Sequence, residues 1–216
     1  MATIDIRQDD RVAIIGKTGS GKTEIAKKLL ELFPYTIVLD NKGTFGNNRQ
    51  TKQFTLPGWA LVRRFELLGE AGKKYPRIVY RPEPELEANR SDFFDVMDSF
   101  YWWIYNRENC IVYTDEATSV CSSNTILPGH NACLKRGREL DIGCWNSTQD
   151  PVGVNNALFS QADHFFLFIT QIQDHRDKLS GFMGDKVKKD IPRKYKFYYF
   201  NPETMDEAEK MNPIQL

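Results

Sequence analysis

The chain has 216 residues, 41% of them apolar and 27% charged, and its 29 basic residues are matched by 29 acidic ones. That length accommodates one large domain with a substantial core, and the neutral balance removes any global field favouring nucleic acid or a membrane surface. No apolar run approaches the ~18 residues of a membrane span, and the opening MATIDIRQDD lacks the basic-then-apolar order of a secretory signal, so a chain that is not secreted and has no transmembrane segment is expected.

In chain order, RVAIIG (Arg11 to Gly16) predicts a short buried strand. A glycine-rich turn follows, then a helix over Lys22 to Phe33, with Ile25, Leu29 and Phe33 on one face and Pro34 as its stop. YTIVLD (Tyr35 to Asp40) is the next strand, completing a parallel crossover unit. The stretch from Asn41 to Pro57 is polar and turn-rich, and Trp59 to Ala71 reads as a helix. RIVYR (Arg77 to Arg81) is a strand, and Ser91 offers an N-cap to a helix in which Phe93, Met97, Phe100 and Ile104 recur at helical spacing. That spacing reads FYWWIY as the buried face of a core helix rather than a base-stacking platform. CIVYTDE (Cys110 to Glu116) is a strand ending in two acids, and Leu127 to Leu140 reads as helical. IGCWNSTQ (Ile142 to Gln149), ADHFFLFIT (Ala162 to Thr170) and KYKFYYF (Lys194 to Phe200) are strands, with a helix near Asp174 to Phe182. Alternating strands and helices predict a single α/β domain over residues 1–200 with a largely parallel central sheet flanked by helices, followed by a polar tail over 201–216.

Cys110, Cys121, Cys133 and Cys144 form no C-x-x-C pair and read as buried, reduced thiols. His130 and Cys133 fall on one helix face, but two ligands do not make a zinc site.

The chemistry concentrates at Gly16-Lys17-Thr18-Gly19-Ser20-Gly21-Lys22-Thr23, which matches the P-loop pattern between a strand and a helix. Backbone N–H groups converge on phosphates only where side chains do not intervene, which favours Gly19 and Gly21. The following helix adds its unsatisfied N–H groups and positive dipole end. Lys22 is placed to reach the β- and γ-phosphates of ATP, and Thr23 to put its hydroxyl on Mg²⁺. A hard cation takes oxygen ligands, and Asp115 ends an apolar strand where such a carboxylate is needed. Glu116, diverging from it, is left to orient a water on the γ-phosphate, which favours hydrolysis. Gln149, ending a strand beside the acids, is positioned to contact the γ-phosphate or the attacking water.

A GKTGSGKT loop, an apolar strand ending in Asp-Glu, an arginine before a strand and "STQ" at that strand's end resemble the FtsK/HerA superfamily of DNA-translocating ATPases. Within it the chain looks most like the genome-packaging ATPases of tailless, membrane-containing icosahedral viruses, over roughly Val12 to Thr170. The resemblance implies a RecA-like (ASCE) fold and a homo-oligomeric ring, commonly a hexamer, with ATP between subunits. It implies Lys22 and Thr23 as Walker A, Asp115 and Glu116 as Walker B, Gln149 as polar sensor, and Arg138 as an arginine finger for the neighbouring subunit, with Arg136 as the alternative. Double-stranded DNA, a docking protein at a capsid vertex or viral membrane, and a place in host cytoplasm or virion are implied with it. Two basic stretches are candidates to grip DNA: Arg49, Lys52, Arg63, Arg64, Lys73, Lys74 and Arg77, and Lys178, Lys186, Lys188, Lys189, Arg193, Lys194 and Lys196. Lys73 and Lys74, in an expected loop, come first. The competing functions are a nucleoside or nucleotide kinase, which needs arginines such as Arg81, Arg90 and Arg107 gathered as a lid, and a related ATPase for filament assembly or secretion. KLSGFMG (Lys178 to Gly184) suggests a transporter signature but follows the acids, whereas a transporter's precedes them.

Overall fold

Apolar residues alternate between two buried surfaces along β1 (Arg11–Ile15): Val12 and Ile14 enter one core, Ala13 and Ile15 the other. Burial on both faces is what an interior parallel strand requires. The computed structural model describes residues 4–48, 50–189, 192–193 and 195–213. After β1 the chain forms α1 (Lys22–Leu30), β2 (Thr36–Asp40), β3 (Trp59–Val62), α2 (Leu68–Lys74), β4 (Arg77–Tyr80), α3 (Pro84–Ala88) and α4 (Arg90–Arg107). It continues through β5 (Cys110–Asp115), α5 (Pro128–Arg136), β6 (Ile142–Thr148), α6 (Ala157–Ser160), β7 (His164–Leu167), α7 (Gln173–Met183), α8 (Lys186–Lys189), β8 (Phe197–Phe200) and β9 (Glu209–Met211).

The strands form one sheet in the order β3-β4-β2-β5-β6-β1-β7-β8-β9. Pairing is parallel from β3 to β7 and antiparallel at β7–β8 and β8–β9. β6 therefore lies between the P-loop strand β1 and the acidic strand β5, the arrangement of the RecA-like NTPase fold. On one face α1 packs Ile25, Ala26, Leu29 and Leu30 against Val12, Val38, Tyr113 and Trp145. On the other, α4 inserts Phe93, Met97, Phe100 and Ile104 beside α5 and α7. Each isoleucine, leucine, methionine or phenylalanine among them contributes about 1.5–3 kcal/mol on burial.

The α/β class and the parallel sheet are as the sequence predicts, and several boundaries differ. α1 stops at Leu30, because Leu32 and Phe33 tighten into bonds to Leu29 O and Leu30 O before Pro34. Trp59–Val62 is a strand, not the start of a helix: Trp59 and Val62 are buried, and the run pairs with β4. The helix begins only at Leu68, after a 3₁₀ turn over Phe65–Leu67. Lys73 and Lys74 thus lie in the last turn of α2, not in a loop. Asn89, not Ser91, precedes α4, and the segment Leu127–Leu140 divides into α5 and a 3₁₀ turn over Gly137–Leu140. Within the segment read as a polar tail, β9 extends the sheet. All four cysteines are free and buried. Among the described residues no helix is long and apolar enough to cross a membrane.

One ion pair shapes the polar stretch after β2. Asp40, with its side chain fully buried, receives Arg81 Nε at 2.8 Å and the backbone N–H groups of Thr44 and Phe45 at 3.1 and 3.0 Å. Arg81 also donates to Phe45 O and Asn47 Oδ1. Removing one partner leaves a buried charge uncompensated. Arg81→Met is therefore expected to lower unfolding free energy by about 3–5 kcal/mol in urea titration, with Asp40→Asn added to it recovering part of the loss. A single-variant loss below about 1 kcal/mol, the scale of an exposed pair, contradicts this assignment.

Candidate nucleotide site

The loop Gly16–Thr23 joins β1 to α1 at the carboxyl ends of the parallel strands. Gly16 has φ +150°, and a Cβ there would lie 2.6 Å from Phe168 Cβ, so the loop leaves β1 only through glycine. Gly21, with φ +114°, precedes α1 and supplies no side-chain cap. The first N–H groups of α1 are thereby left for an external acceptor. Gly19 also adopts positive φ, +72°. The loop is tied down by Gly16 N–H to Thr148 O (3.2 Å), Lys17 N–H to Ile169 O (3.1 Å) and Ser20 N–H to Lys17 O (3.3 Å).

Lys22 is 5% exposed and folds its ammonium back onto Gly16 O at 2.6 Å and Lys17 O at 3.2 Å. Burial lowers its pKa, Lys42 repels it further, and Glu116 and Asp115 offset part of this, leaving it at about 8. A cleft of about 450 Å³ opens over the loop, bordered by Thr18, Lys22, Thr23, Lys42, Thr44 and Tyr195. Tyr195 also borders an adjoining apolar recess of about 200 Å³ lined by Ile25, Phe168 and Phe197.

The strand order brings the predicted acids and glutamine together. Each member of Ser147-Thr148-Gln149 holds an acid. Ser147 Oγ donates to Asp115 Oδ1 at 3.0 Å, and Thr148 Oγ1 to Glu116 Oε1 at 3.3 Å. Gln149 gives Nε2 to Glu116 Oε2 at 2.6 Å and its backbone N–H to Oε1 at 3.2 Å. Thr118 Oγ1 (2.9 Å) and Lys42 Nζ (2.6 Å) complete the set on Glu116. Gln149 Oε1 also accepts from Thr18 Oγ1, joining the P-loop to the acids. Glu116 stands at φ +74°, a left-handed conformation costing on the order of 1–3 kcal/mol for a non-glycine residue, and its N–H rests on Ser147 Oγ at 3.2 Å. Burial pushes its carboxyl up, but Lys42 and Gln149 outweigh burial and hold it down to about 2.

Asp115 is 1% exposed and accepts Tyr113 OH (3.2 Å) and Ser147 Oγ on Oδ1, while Oδ2 is buried with no hydrogen-bond partner. An orphaned carboxylate oxygen on a residue that attracts the P-loop Lys22 fits a hard cation. Asp115 and the Thr23 hydroxyl are the groups that would hold Mg²⁺ with the phosphates. Among the described residues no cluster of three or more His, Cys, Asp or Glu suits a protein-only metal site. His130 instead stacks on Tyr101 and meets Asn146 Oδ1 at 2.9 Å.

Arg138 is not in this cleft. It lies in the 3₁₀ turn before β6, at the amino ends of the strands, and binds both oxygens of Asp163 at 2.7 and 2.8 Å. Arg136 is exposed, its guanidinium 5.5 Å from the Tyr105 ring. Of the basic stretches, Arg49 and Lys194 lie outside the described residues. Lys73 pairs with Glu70, Lys186 with Glu207 and Lys188 with Asp185. The kinase-type arginines are dispersed: Arg81 is on Asp40, Arg90 over Phe94, and Arg107 on Gly72 O. Sequence reading missed Lys42 and the separate duties of Ser147 and Thr148. The signal for Lys42 is strand register: Asp40 pairs with Asp115, so a lysine two residues on falls beside Glu116.

No protein-family model and no curated protein matches the chain. Solved structures do. The genome packaging NTPase B204 of Sulfolobus turreted icosahedral virus 2, in complex with AMP, superposes with a TM-score of 0.72 at 18% identity, covering 97% of this chain and 100% of that one. VirB4 of Thermoanaerobacter pseudethanolicus gives 0.63 at 12% identity over 95% and 90%. The pCW3 conjugation coupling protein TcpA, with ATPgS, gives 0.62 at 13% identity, covering 97% of this chain and 62% of that one. These likenesses place the chain in the P-loop NTPase fold.

A phosphate-binding lysine must be charged, and Lys22 loses its proton near pH 8 before nucleotide arrives. The dissociation constant for an ATP analogue is therefore expected to stay flat up to about pH 8. Above that it rises, approaching about tenfold per pH unit. A Lys22→Arg variant, charged throughout, serves as the flat control. A wild-type constant that stays flat as far as about pH 10, near the pKa of an ordinary lysine, contradicts the buried-lysine account.

Proposed function

We propose that the chain is an FtsK/HerA-like ATPase that couples ATP hydrolysis to movement of double-stranded DNA, most closely of the viral genome-packaging kind. The observation that carries it is Glu116, half-buried beside the P-loop cleft and held by Gln149 and Lys42, with Asp115 ending β5 immediately before it. In this reading the triphosphate lies along Gly16–Thr23, and the base enters the recess of Ile25, Phe168, Tyr195 and Phe197. Thr23 and Asp115 would hold Mg²⁺, which would supply neutralisation of charge on the phosphates. Glu116 accepts a proton from the water that attacks the γ-phosphorus, Lys22 stabilises charge on the β- and γ-oxygens, and ADP leaves with inorganic phosphate. Gln149, sharing Glu116 with Lys42, orients that water.

The likeness to B204, described as a packaging NTPase, supports the DNA-moving reading. From the superfamily resemblance we further propose a ring, taken to be a hexamer, docked on a capsid-vertex or membrane-associated viral protein in host cytoplasm or virion. The likeness to VirB4 and TcpA favours a second reading, a secretion or conjugation ATPase on the same core. Glu116→Gln is expected to bind ATP within a few-fold of wild type and to lose about 10²- to 10⁴-fold in turnover, read as phosphate release. Addition of duplex DNA to wild type should raise that release. No response to duplex, with hydrolysis intact, favours the second reading.

Arg138, far from its own cleft, is proposed to serve the neighbouring subunit, which requires it to leave Asp163. Arg136, resting over Tyr105, is the alternative. Replacing the true finger by Ala is expected to cost about 10³- to 10⁵-fold in turnover with nucleotide binding retained. If neither variant loses more than about tenfold, well short of that range, the trans-finger arrangement is wrong.

A further inference from the structure

Lys42 has two faces. One contacts Glu116 Oε2 at 2.6 Å, and the other borders the phosphate cleft with Lys22, Thr18 and Thr23. Its backbone is fixed from both sides, since the N–H of Thr44 after it donates to Asp40 before it at 3.1 Å. Asp40 is locked by Arg81, and Asn41 donates Nδ2 to Ser119 Oγ at 2.5 Å. The main chain is therefore anchored while a flexible four-carbon stem carries the ammonium between the acid and the cleft.

We propose that Lys42 is a positioning residue that senses the γ-phosphate: it clasps Glu116 when the cleft lacks a triphosphate and transfers to the γ-phosphate when one is seated. This rests on the nucleotide reading above and adds a function to a residue that reading uses only to hold Glu116. The warrant is competition for one ammonium. A terminal phosphate carries more charge and more acceptor oxygens than a carboxylate, so a triphosphate draws Lys42 away. ADP, whose shorter chain ends before that position, does not. A ligand shifts such an equilibrium only by its differential affinity for the two states, and here the difference is the γ-phosphate itself. Release leaves Glu116 held by Gln149 and Thr118.

The experiment is paired titration calorimetry of Mg²⁺ with ATPγS and with ADP on wild type, Lys42→Met and Lys42→Arg. Lys42→Met should weaken ATPγS about tenfold or more, the scale of one lost charge-assisted contact, and leave ADP within about twofold. Lys42→Arg should recover most of the difference. The same selectivity loss should persist when Lys42→Met is placed on Glu116→Gln, where residue 116 carries no charge that the loss of Lys42 could leave unpaired. Equal weakening of both nucleotides marks Lys42 as only a structural support of its loop and overturns the proposal, as does no change in either. A wild-type chain that binds neither nucleotide overturns the nucleotide reading, and the Lys42 assignment with it.

Discussion

The hydrogen bond from Gly16 N–H to Thr148 O, 3.2 Å long, ties the phosphate loop to the strand end that Gln149 follows. Everything at the site depends on β1, β6 and β5 ending level. In that register Thr148 stands beside Ile15, and Thr114 beside Asn146. One strand end then offers N–H groups to an anion, the next offers Ser, Thr and Gln, and the third offers two carboxylates. A strand slipped by one residue would turn each of these side chains to the opposite face. Two-sided apolar burial along β1, β5 and β6 resists that slip.

The site is a balance of opposed charges at close range. Lys22 and Lys42 repel each other, and both are drawn to Glu116. Asp115 keeps one oxygen without a partner in a buried position. Such an arrangement is unfavourable for folding alone, since buried unsatisfied polar atoms cost stability. In the proposed reading, a polyanion and a divalent cation would make it favourable on binding. The left-handed backbone of Glu116 belongs to the same pattern, strain held at the proposed catalytic position by surrounding hydrogen bonds.

Much of this was legible in the sequence because the P-loop, the apolar strand ending in Asp115-Glu116 and the Ser-Thr-Gln strand end are local signals. Each is read within a few residues. β3 was not legible, because WALV is short and its strand character comes from pairing with β4 rather than from period. β9 was missed for the same reason: Glu209–Met211 is polar, and only its partner β8 makes it a strand. Lys42 stayed hidden because its role is set by register across two strands that lie far apart in sequence. For Arg138 the sequence supplied a residue type and a resemblance, and the structure adds its partner, Asp163.

The central claim is that a triphosphate seated on Gly16–Thr23 is hydrolysed under Glu116. Steady-state ATP hydrolysis by purified Lys22→Ala, measured beside wild type with Mg²⁺, tests it most directly. The account predicts loss of ATP turnover in the variant with the fold retained by circular dichroism. Hydrolysis at the parental rate would contradict it.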